Sequence, residues 1–548
     1  MHLPASGAEH RPPWQPAYAA TRTPDGTYND LGDPPMGRAG SRFGRNVPLE
    51  RTRPELLPEL LRPSPRTVSR ELMTRVRFQP ATALNSLVAA WLQFMVKDWL
   101  SHGTGPTDDL WRVPLLETDP WPDHPMVIPR TPADPTRPSE PDGRPPTYVN
   151  AQTHWWDASQ LYGRDLSAQR RLRSGTDGKL RIRPDGVLAL PDDLDLDPSQ
   201  APGWWLGLSL MASLFILEHN SICDRLKAEY PSWSDEDLFQ RARLINVAVL
   251  AKIHTVEWTP AVISHPTTRV AMRANWYGLV GKTVTDRLGR LGSSEVLSGI
   301  PGSETDHFGV PYSLTEEFAT VYRMHPLITD DWTFRSLEDD EPIEERPFRD
   351  LTGPKAQEIQ ERISLTDLLY SFGRTPPGAL RLHNFPRDLQ TFVRPDGKLL
   401  DLAAVDILRA RELGVPRYNE LRRQLHLRPA RSFETLTDNP YWAEELRRVY
   451  HDDIERVDVT VGMFAEPLPK GFAFSDTAFR IFIVMASRRL NSDRFFTRDY
   501  TPQVYTPVGM RWIRDTDMSA VLLRHFPQLR PALSGVANAF EPWSSASA

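Results

Sequence analysis

Ser313-Leu-Thr-Glu-Glu-Phe-Ala-Thr-Val-Tyr-Arg-Met-His-Pro-Leu-Ile-Thr-Asp330 is the stretch on which the reading of this chain turns. Ser313 or Thr315 can cap a helix start, with Glu316 and Glu317 in its first turn. If that helix runs on, Tyr322 and His325 sit three apart on one face, with roughly 5–6 Å between their Cβ atoms. A histidine ending a mostly apolar helix suits the axial position of a haem iron, and a tyrosine one turn back can lie near the porphyrin edge. The same two residues read equally well as a core histidine and a core tyrosine, because Tyr-x-x-His alone is not diagnostic.

Other segments carry chemistry of their own. From Ala81 to Leu100 the period is helical, with Leu84, Leu87, Val88, Trp91, Leu92, Met95 and Trp99 recurring at three and four. A second stripe, Ser86, Ala89, Ala90, Gln93 and Lys97, is either solvent-facing or a close approach to something flat. In Thr153-His-Trp155-Trp-Asp157-Ala-Ser159 three oxygen side chains fall on one side of an extended loop. That is a polar turn or part of a calcium site, which needs six to eight hard oxygens. Trp204 to about Tyr230 reads as a buried helix in which His219 is structural. Ser234 caps a helix reaching Ile253 and running into His254-Thr-Val-Glu-Trp-Thr259-Pro260, where Pro260 is expected to end or kink it. The last long helix is expected over Phe472–Leu490. There Phe482, Met485 and Arg489 fall on one apolar stripe, and Arg488 on a neighbouring stripe with Ile481 and Val484. A buried guanidinium needs a partner, either a structural salt bridge or a bidentate carboxylate. Beyond about residue 515 a short helix and a frayed Ser/Ala tail are expected.

In chain order these segments resemble the animal-type haem peroxidase superfamily, which includes the cyclooxygenases, and within it the fatty-acid α-dioxygenase branch. The likeness rests on Asp25-Gly-Thr-Tyr-Asn-Asp-Leu, Gly40-Ser-Arg-Phe-Gly-Arg-Asn-Val-Pro48, Trp91-Leu-Gln-Phe-Met, Ala274-Asn-Trp-Tyr-Gly-Leu-Val-Gly, Tyr322-Arg-Met-His325-Pro-Leu and Arg417-Tyr-Asn419-Glu-Leu-Arg-Arg. It implies a mainly α fold: an N-terminal arm (1–65) and one large haem-peroxidase-type catalytic domain (66–548). It further implies one non-covalent haem b, with His325 on the iron and Asn419 accepting a hydrogen bond from that histidine. Tyr322 becomes the radical carrier and Gln93 the distal donor. His254, Thr259 and Arg489 become anchors for a fatty-acid carboxylate. A structural Ca2+ falls to Asp98, Thr153, Trp155 (by its carbonyl), Asp157 and Ser159. The implied reaction uses a peroxide activator. The oxidised haem takes an electron from the tyrosine, the radical removes hydrogen from the carbon next to the carboxyl, and O2 adds there. The 2-hydroperoxy acid can lose CO2 to give a shortened aldehyde.

One position departs from the family. Its distal helix carries Gln, then His four residues on, then Asp; here the three are Gln93, Lys97 and Asp98. His102 lies about 140° around the helix from Lys97 and is no obvious substitute. A lysine ordinarily titrates near 10.4, though burial lowers it to roughly 5–6 in extreme cases. Lys97 could therefore act as a base, ligate the iron or hold an anionic group. A divergent haem oxidoreductase acting on another carboxylate, and a non-enzymatic haem or lipid binder, stay open as alternatives.

The totals fit a globular chain, at 40% hydrophobic and 25% charged residues. A net charge of −6 offers nothing to nucleic acid, and the single Cys223 excludes an internal disulfide framework. The start lacks a signal-peptide pattern, and the apolar run Trp204–Leu217 is shorter than the roughly 18–20 residues of a membrane span. The expectation is cytoplasmic, with peripheral membrane contact left open. Oligomeric state is not legible. The acidic run Asp192–Asp197 is expected to be a solvated loop.

Overall fold

A computed structural model describes residues 13–546 except 107, 138–142, 184–202, 293 and 395–396. The acidic run lies outside the described residues. The helices that frame the site are α1 (Leu87–Trp99), α2 (Leu206–Glu229), α3 (Asp235–Ile253), α4 (Pro266–Tyr277), α5 (Gly281–Leu288), α6 (Glu316–Val321), α7 (Leu402–Glu412), α8 (Asp476–Asn491) and α9 (Pro502–Asp515). The fold is mainly α, as the sequence implied. Among the described residues the sheets are three two-stranded antiparallel ribbons: Leu110–Val113 with Met126–Pro129, Asp331–Arg335 with Pro342–Pro347, and Phe392–Val393 with Leu399–Leu400.

At the centre α2 packs between α1 and α3, and α9 lies on α3. By length and composition α2 is apolar enough to cross a membrane, but here it is the core helix and most of it is buried. A capping box starts α3: Ser234 accepts from the Asp237 amide, and the Asp237 carboxylate accepts from the Ser234 amide. In α1 the start is Leu87 rather than Ala81, because the Asn85 side chain accepts from the Leu87 amide and fixes the first turn there.

Of the two outcomes expected at Pro260, an end or a kink, the helical path does not end there. After Ile253 the chain widens into a π turn, His254–Trp258, and continues as a short α-helix, Thr259–Val262. The Thr259 amide bonds back to His254, and Pro260 falls in the first turn of the next segment, where a missing N–H costs nothing. At the C-terminus, the stretch before the Ser/Ala tail is packed from Asn538 to Trp543. Asn85 donates to the carbonyls of Ala539 (2.8 Å) and Glu541 (2.7 Å), and Trp543 is buried against Gly373. The periodicity also gave no sign of α9, whose Pro507 follows a non-helical Thr506 (φ 67°) that kinks it.

The described part of the arm, 13–65, is bound to the body by buried pairs. Arg22 meets Asp493 at 2.9 Å, and Arg45 meets Glu317 at 3.0 Å while also donating to the carbonyls of Leu413 and Gly414. Gly37, at φ +66°, lies so close under the Trp155 indole that a Cβ there would sit 2.6 Å from the ring.

Candidate functional site

The stretch 313–330 starts as read. Thr315 caps α6 by accepting from the Phe318 amide, Glu316 pairs with His102 (2.9 Å) and Glu317 with Arg45. The α-helix then stops at Val321. Tyr322 closes it, and His325 opens a separate 3-10 turn, His325–Leu327. Tyr322 and His325 therefore do not share one helix face. Pro326 contributes to this: in a continuous α-helix it has no N–H to give the Tyr322 carbonyl, and its ring would clash with that carbonyl.

The two side chains keep different company. Tyr322 is buried against Trp99, Phe318 and Phe482. His325 lies beside Phe385, its side chain 30% exposed, and its Nδ1–H donates to the Asp406 carboxylate on α7 at 2.7 Å. Asn419 does not hold this histidine. Its amide donates to the Ala430 carbonyl (2.9 Å) and to Glu455 (3.0 Å), and its oxygen accepts from the Ala430 amide (2.8 Å), so every polar atom serves to fold a loop. Asp406 takes the place expected of Asn419. Its signal in the sequence is an acid set inside the apolar run Ala403-Ala-Val-Asp-Ile-Leu408. A carboxylate on Nδ1 fixes the tautomer and leaves the Nε2 lone pair, which has no partner among the described residues, free for a metal. That donor set fits a haem iron.

On α1 most residues are buried; the exceptions are Gln93, Val96 and Lys97, one part-exposed stripe that continues to Leu100. Ser86, Ala89 and Ala90 are buried, so the stripe is not solvent-facing along its length. Gln93 accepts from the Trp205 indole at 2.5 Å and donates to the Gly203 carbonyl at 3.2 Å. A methyl group on Gly203 would lie 3.8 Å from Gln93 Nε2 and 4.0 Å from Lys97 Nζ, so the two polar ends converge on one spot. Burial lowers the proton affinity of Lys97. His102 is committed to Glu316.

A cavity gathers Tyr322, His254, Thr259 and Arg489, and Met272 and Asn275 also line it. Arg489 lies on the buried stripe of α8 with Phe482 and Met485, as the spacing predicted. Its guanidinium stacks 3.6 Å from the Trp99 ring centroid and 4.6 Å from that of Trp156. Its Nε and Nη2 are buried without a hydrogen-bond partner among the described residues. Arg488 instead donates to the carbonyls of Val310 and Pro311. His254 stacks on Trp258 at 4.6 Å and meets Trp99 and Trp156 edge-on. Its Nδ1 accepts from the Trp91 indole N–H at 3.1 Å. An indole only donates, so the imidazole proton resides on Nε2. Burial, then the nearby Arg489 charge, holds His254 well below its ordinary pKa, and it stays neutral. Thr259 gives its hydroxyl proton to the His254 carbonyl (2.8 Å) and offers the cavity its lone pairs. Burial pushes the Tyr322 phenol far above its usual range. Of the tryptophans that box His254 and Arg489, Trp99 appears in the sequence as apolar periodicity, while Trp156 and Trp258 carry no such signal.

His219 is structural as read, bound to Tyr162 and to the Gly178 carbonyl. The loop 153–159 meets the end of α1. Asp98 accepts from the Ser159 amide (2.6 Å), the Ser159 hydroxyl (2.9 Å) and the Ala158 amide (3.2 Å). Thr153 donates to Asp157 at 2.9 Å, and its hydroxyl is 3.4 Å from the Trp155 carbonyl. Both carboxyls are buried, and Asp157 Oδ1 has no hydrogen-bond partner among the described residues. Burial, then the Asp157 charge, pushes Asp98 up to about 8. Two buried acids, an orphaned oxygen and three neutral oxygens fit a hard cation.

The profile of the animal haem peroxidases matches residues 21–536, and the chain belongs to that family. More particularly, it is 39% identical to α-dioxygenase 1 of Capsicum annuum, over 96% of this chain and 83% of that protein. It is 40% identical to α-dioxygenase 2 of Arabidopsis thaliana, over 96% and 84%. A crystal structure of an Oryza sativa fatty acid α-dioxygenase variant with palmitic acid superposes at a TM-score of 0.90 with 36% identity, covering 99% of this chain and 90% of that one.

Proposed function

We propose that this protein is a haem-dependent fatty-acid α-dioxygenase, an oxidoreductase that places O2 on the carbon next to the carboxyl. The observation that carries the reading is Arg489. A buried cation with two open nitrogens, in one cavity with Tyr322 and a neutral Nε2–H of His254, calls for a single carboxylate. The likeness to α-dioxygenases, one of them solved with palmitic acid, supports a long-chain fatty acid as its source.

His325, oriented by Asp406, would hold the iron. When bound, the haem supplies the one-electron oxidation, driven by a peroxide, that turns Tyr322 into a radical. Arg489 and His254 fix the carboxylate, so that the adjacent carbon faces the Tyr322 oxygen. The phenoxyl takes one hydrogen atom from that carbon and becomes phenol again. O2 joins the carbon radical, and the peroxyl recovers a hydrogen atom from Tyr322, which regenerates the radical and releases the 2-hydroperoxy acid. The buried aromatic walls around Tyr322 keep water from quenching it. A structural Ca2+ held by Asp98, Thr153, Trp155, Asp157 and Ser159 would tie α1 to the loop beside it, ordering the pocket without taking part in the chemistry.

Lys97 favours a second reading, a haem oxidoreductase with altered activation. Burial makes a neutral amine more accessible than on a surface lysine, so Lys97 would serve as the base toward peroxide that an imidazole would otherwise provide. The test is oxygen uptake by haem-loaded protein given palmitate and a trace of hydrogen peroxide, with analysis for CO2 and the one-carbon-shorter aldehyde. Those products, lost in Tyr322→Phe while the Soret band persists, support the first reading. Peroxide consumption without α-oxidation, changed in Lys97→His, supports the second. A protein with no Soret band after hemin reconstitution overturns both.

A further inference from the structure

Along α4, Thr268, Met272 and Trp276 are buried, at the i, i+4, i+8 spacing of one helix face, and Met272 lines the cavity. The opposite side carries Val270 and Arg273, both exposed. Behind it the chain forms a small lobe. The Leu279 amide donates to the Val296 carbonyl at 2.9 Å, the Val280 amide to Leu297 at 3.2 Å, and the Leu291 amide to the Ser298 hydroxyl at 3.0 Å. No described residue of α5 is buried. Val270, Leu279, Leu288, Leu291, Val296 and Leu297 are between 45% and 69% exposed, whereas lone exposed apolar residues are ordinary. Cations are interleaved with them: Lys282 and Arg287 flank the Val284–Leu288 stripe of α5. From 266 to 299 five basic residues stand against two acidic ones, in a chain of net charge −6; of the five, Arg269 is paired with Glu541 at 3.3 Å and Arg290 donates to the carbonyls of Gly299 and Pro301.

We propose that this face docks the protein on an anionic lipid bilayer. Apolar side chains beside lysine and arginine are the chemistry of an interfacial surface, and the positive charge complements acidic headgroups. A second copy of the chain fits less well, because a two-fold contact would set the same basic patch against itself. The placement has a purpose that rests on the proposed activity: fatty acids partition into bilayers, and the cavity lies one helix, about 10 Å, beneath the docked face.

The experiment is co-sedimentation of haem-loaded protein with phosphatidylcholine–phosphatidylserine vesicles, read without turnover, so it stands or falls separately from the activity. Expected is sedimentation that weakens with added salt and is poor with phosphatidylcholine alone. Lys282→Glu/Arg287→Glu should bind on the order of fivefold more weakly per basic residue removed. Leu279→Asp/Leu288→Asp should stay in the supernatant. Both variants should keep the Soret band and the oxygen uptake measured with a soluble shorter-chain acid. Wild type that does not sediment, or variants that sediment as well as wild type, overturn the proposal. So does a wild-type dimer in sedimentation velocity that these substitutions split, since the face would then be a contact between copies.

Discussion

Arg489 and Arg488 are adjacent in sequence and opposite in circumstance. The first is buried with Nε and Nη2 both open, whereas Nη2 of the half-buried second donates to two backbone carbonyls and only its Nε is left without a partner among the described residues. Arg489→Gln is expected to raise the KM for palmitate by roughly ten- to a hundredfold, from about 1.5–3 kcal/mol of lost charged hydrogen bonding, while Arg488→Gln leaves it nearly unchanged. Steady-state oxygen uptake reads both. Trp91 acts on substrate only through His254. With Trp91→Phe, Nδ1 loses its donor and the imidazole can take the wrong tautomer. KM should rise roughly five- to a hundredfold with kcat little changed, and the penalty should vanish when His254 is already alanine. An undiminished penalty in that background would assign Trp91 to packing alone.

At the scale of elements, α7 and the 3-10 turn at His325 meet through one hydrogen bond. Asp406→Ala should weaken hemin binding about 10–100-fold and shift the Soret band, with Asp406→Asn in between because its amide oxygen still accepts. Asn419→Ala should lower stability and leave the hemin titration alone. The junction of α1 with the loop 153–159 gives a pH dependence. Without a cation, Asp98 titrates at about 8 rather than 3.8, so the folded state binds the extra proton between those values and stability falls as pH rises through that window. A cation replaces the proton. Thus the Tm gain from Ca2+ over a chelator should be small near the acid end and grow toward about pH 8. A calcium effect independent of pH would sink this assignment.

At the scale of the molecule, the arm is part of the fold rather than an appendage. Arg22 bridges it to Asp493 with both side chains almost wholly buried, and the Arg243 guanidinium donates to the arm's carbonyls. Removing one partner strands the other charge, so Arg22→Met should cost about 3–5 kcal/mol, read as a lowered denaturation midpoint with unchanged slope. The family match begins at residue 21, inside this arm.

What the chain determined by itself was whatever depends on local spacing and chemical type: the mainly helical class, the capping of α3 and α6, the buried stripe that carries Arg489, and the three oxygen side chains of the loop 153–159. Periodicity is local, and neighbours three or four apart on a helix meet whatever the fold. Tertiary structure decided which residues meet across distance. Asp406 reaches His325 from 81 positions away and Trp91 reaches His254 from 163, and no spacing rule encodes either contact. It also decided where helices give way. The π turn at His254 and the unwinding before Pro326 both follow from how backbone donors are satisfied in the packed state, and the aromatic box around Arg489 forms only when α1, the loop at Trp156 and α8 close on one another.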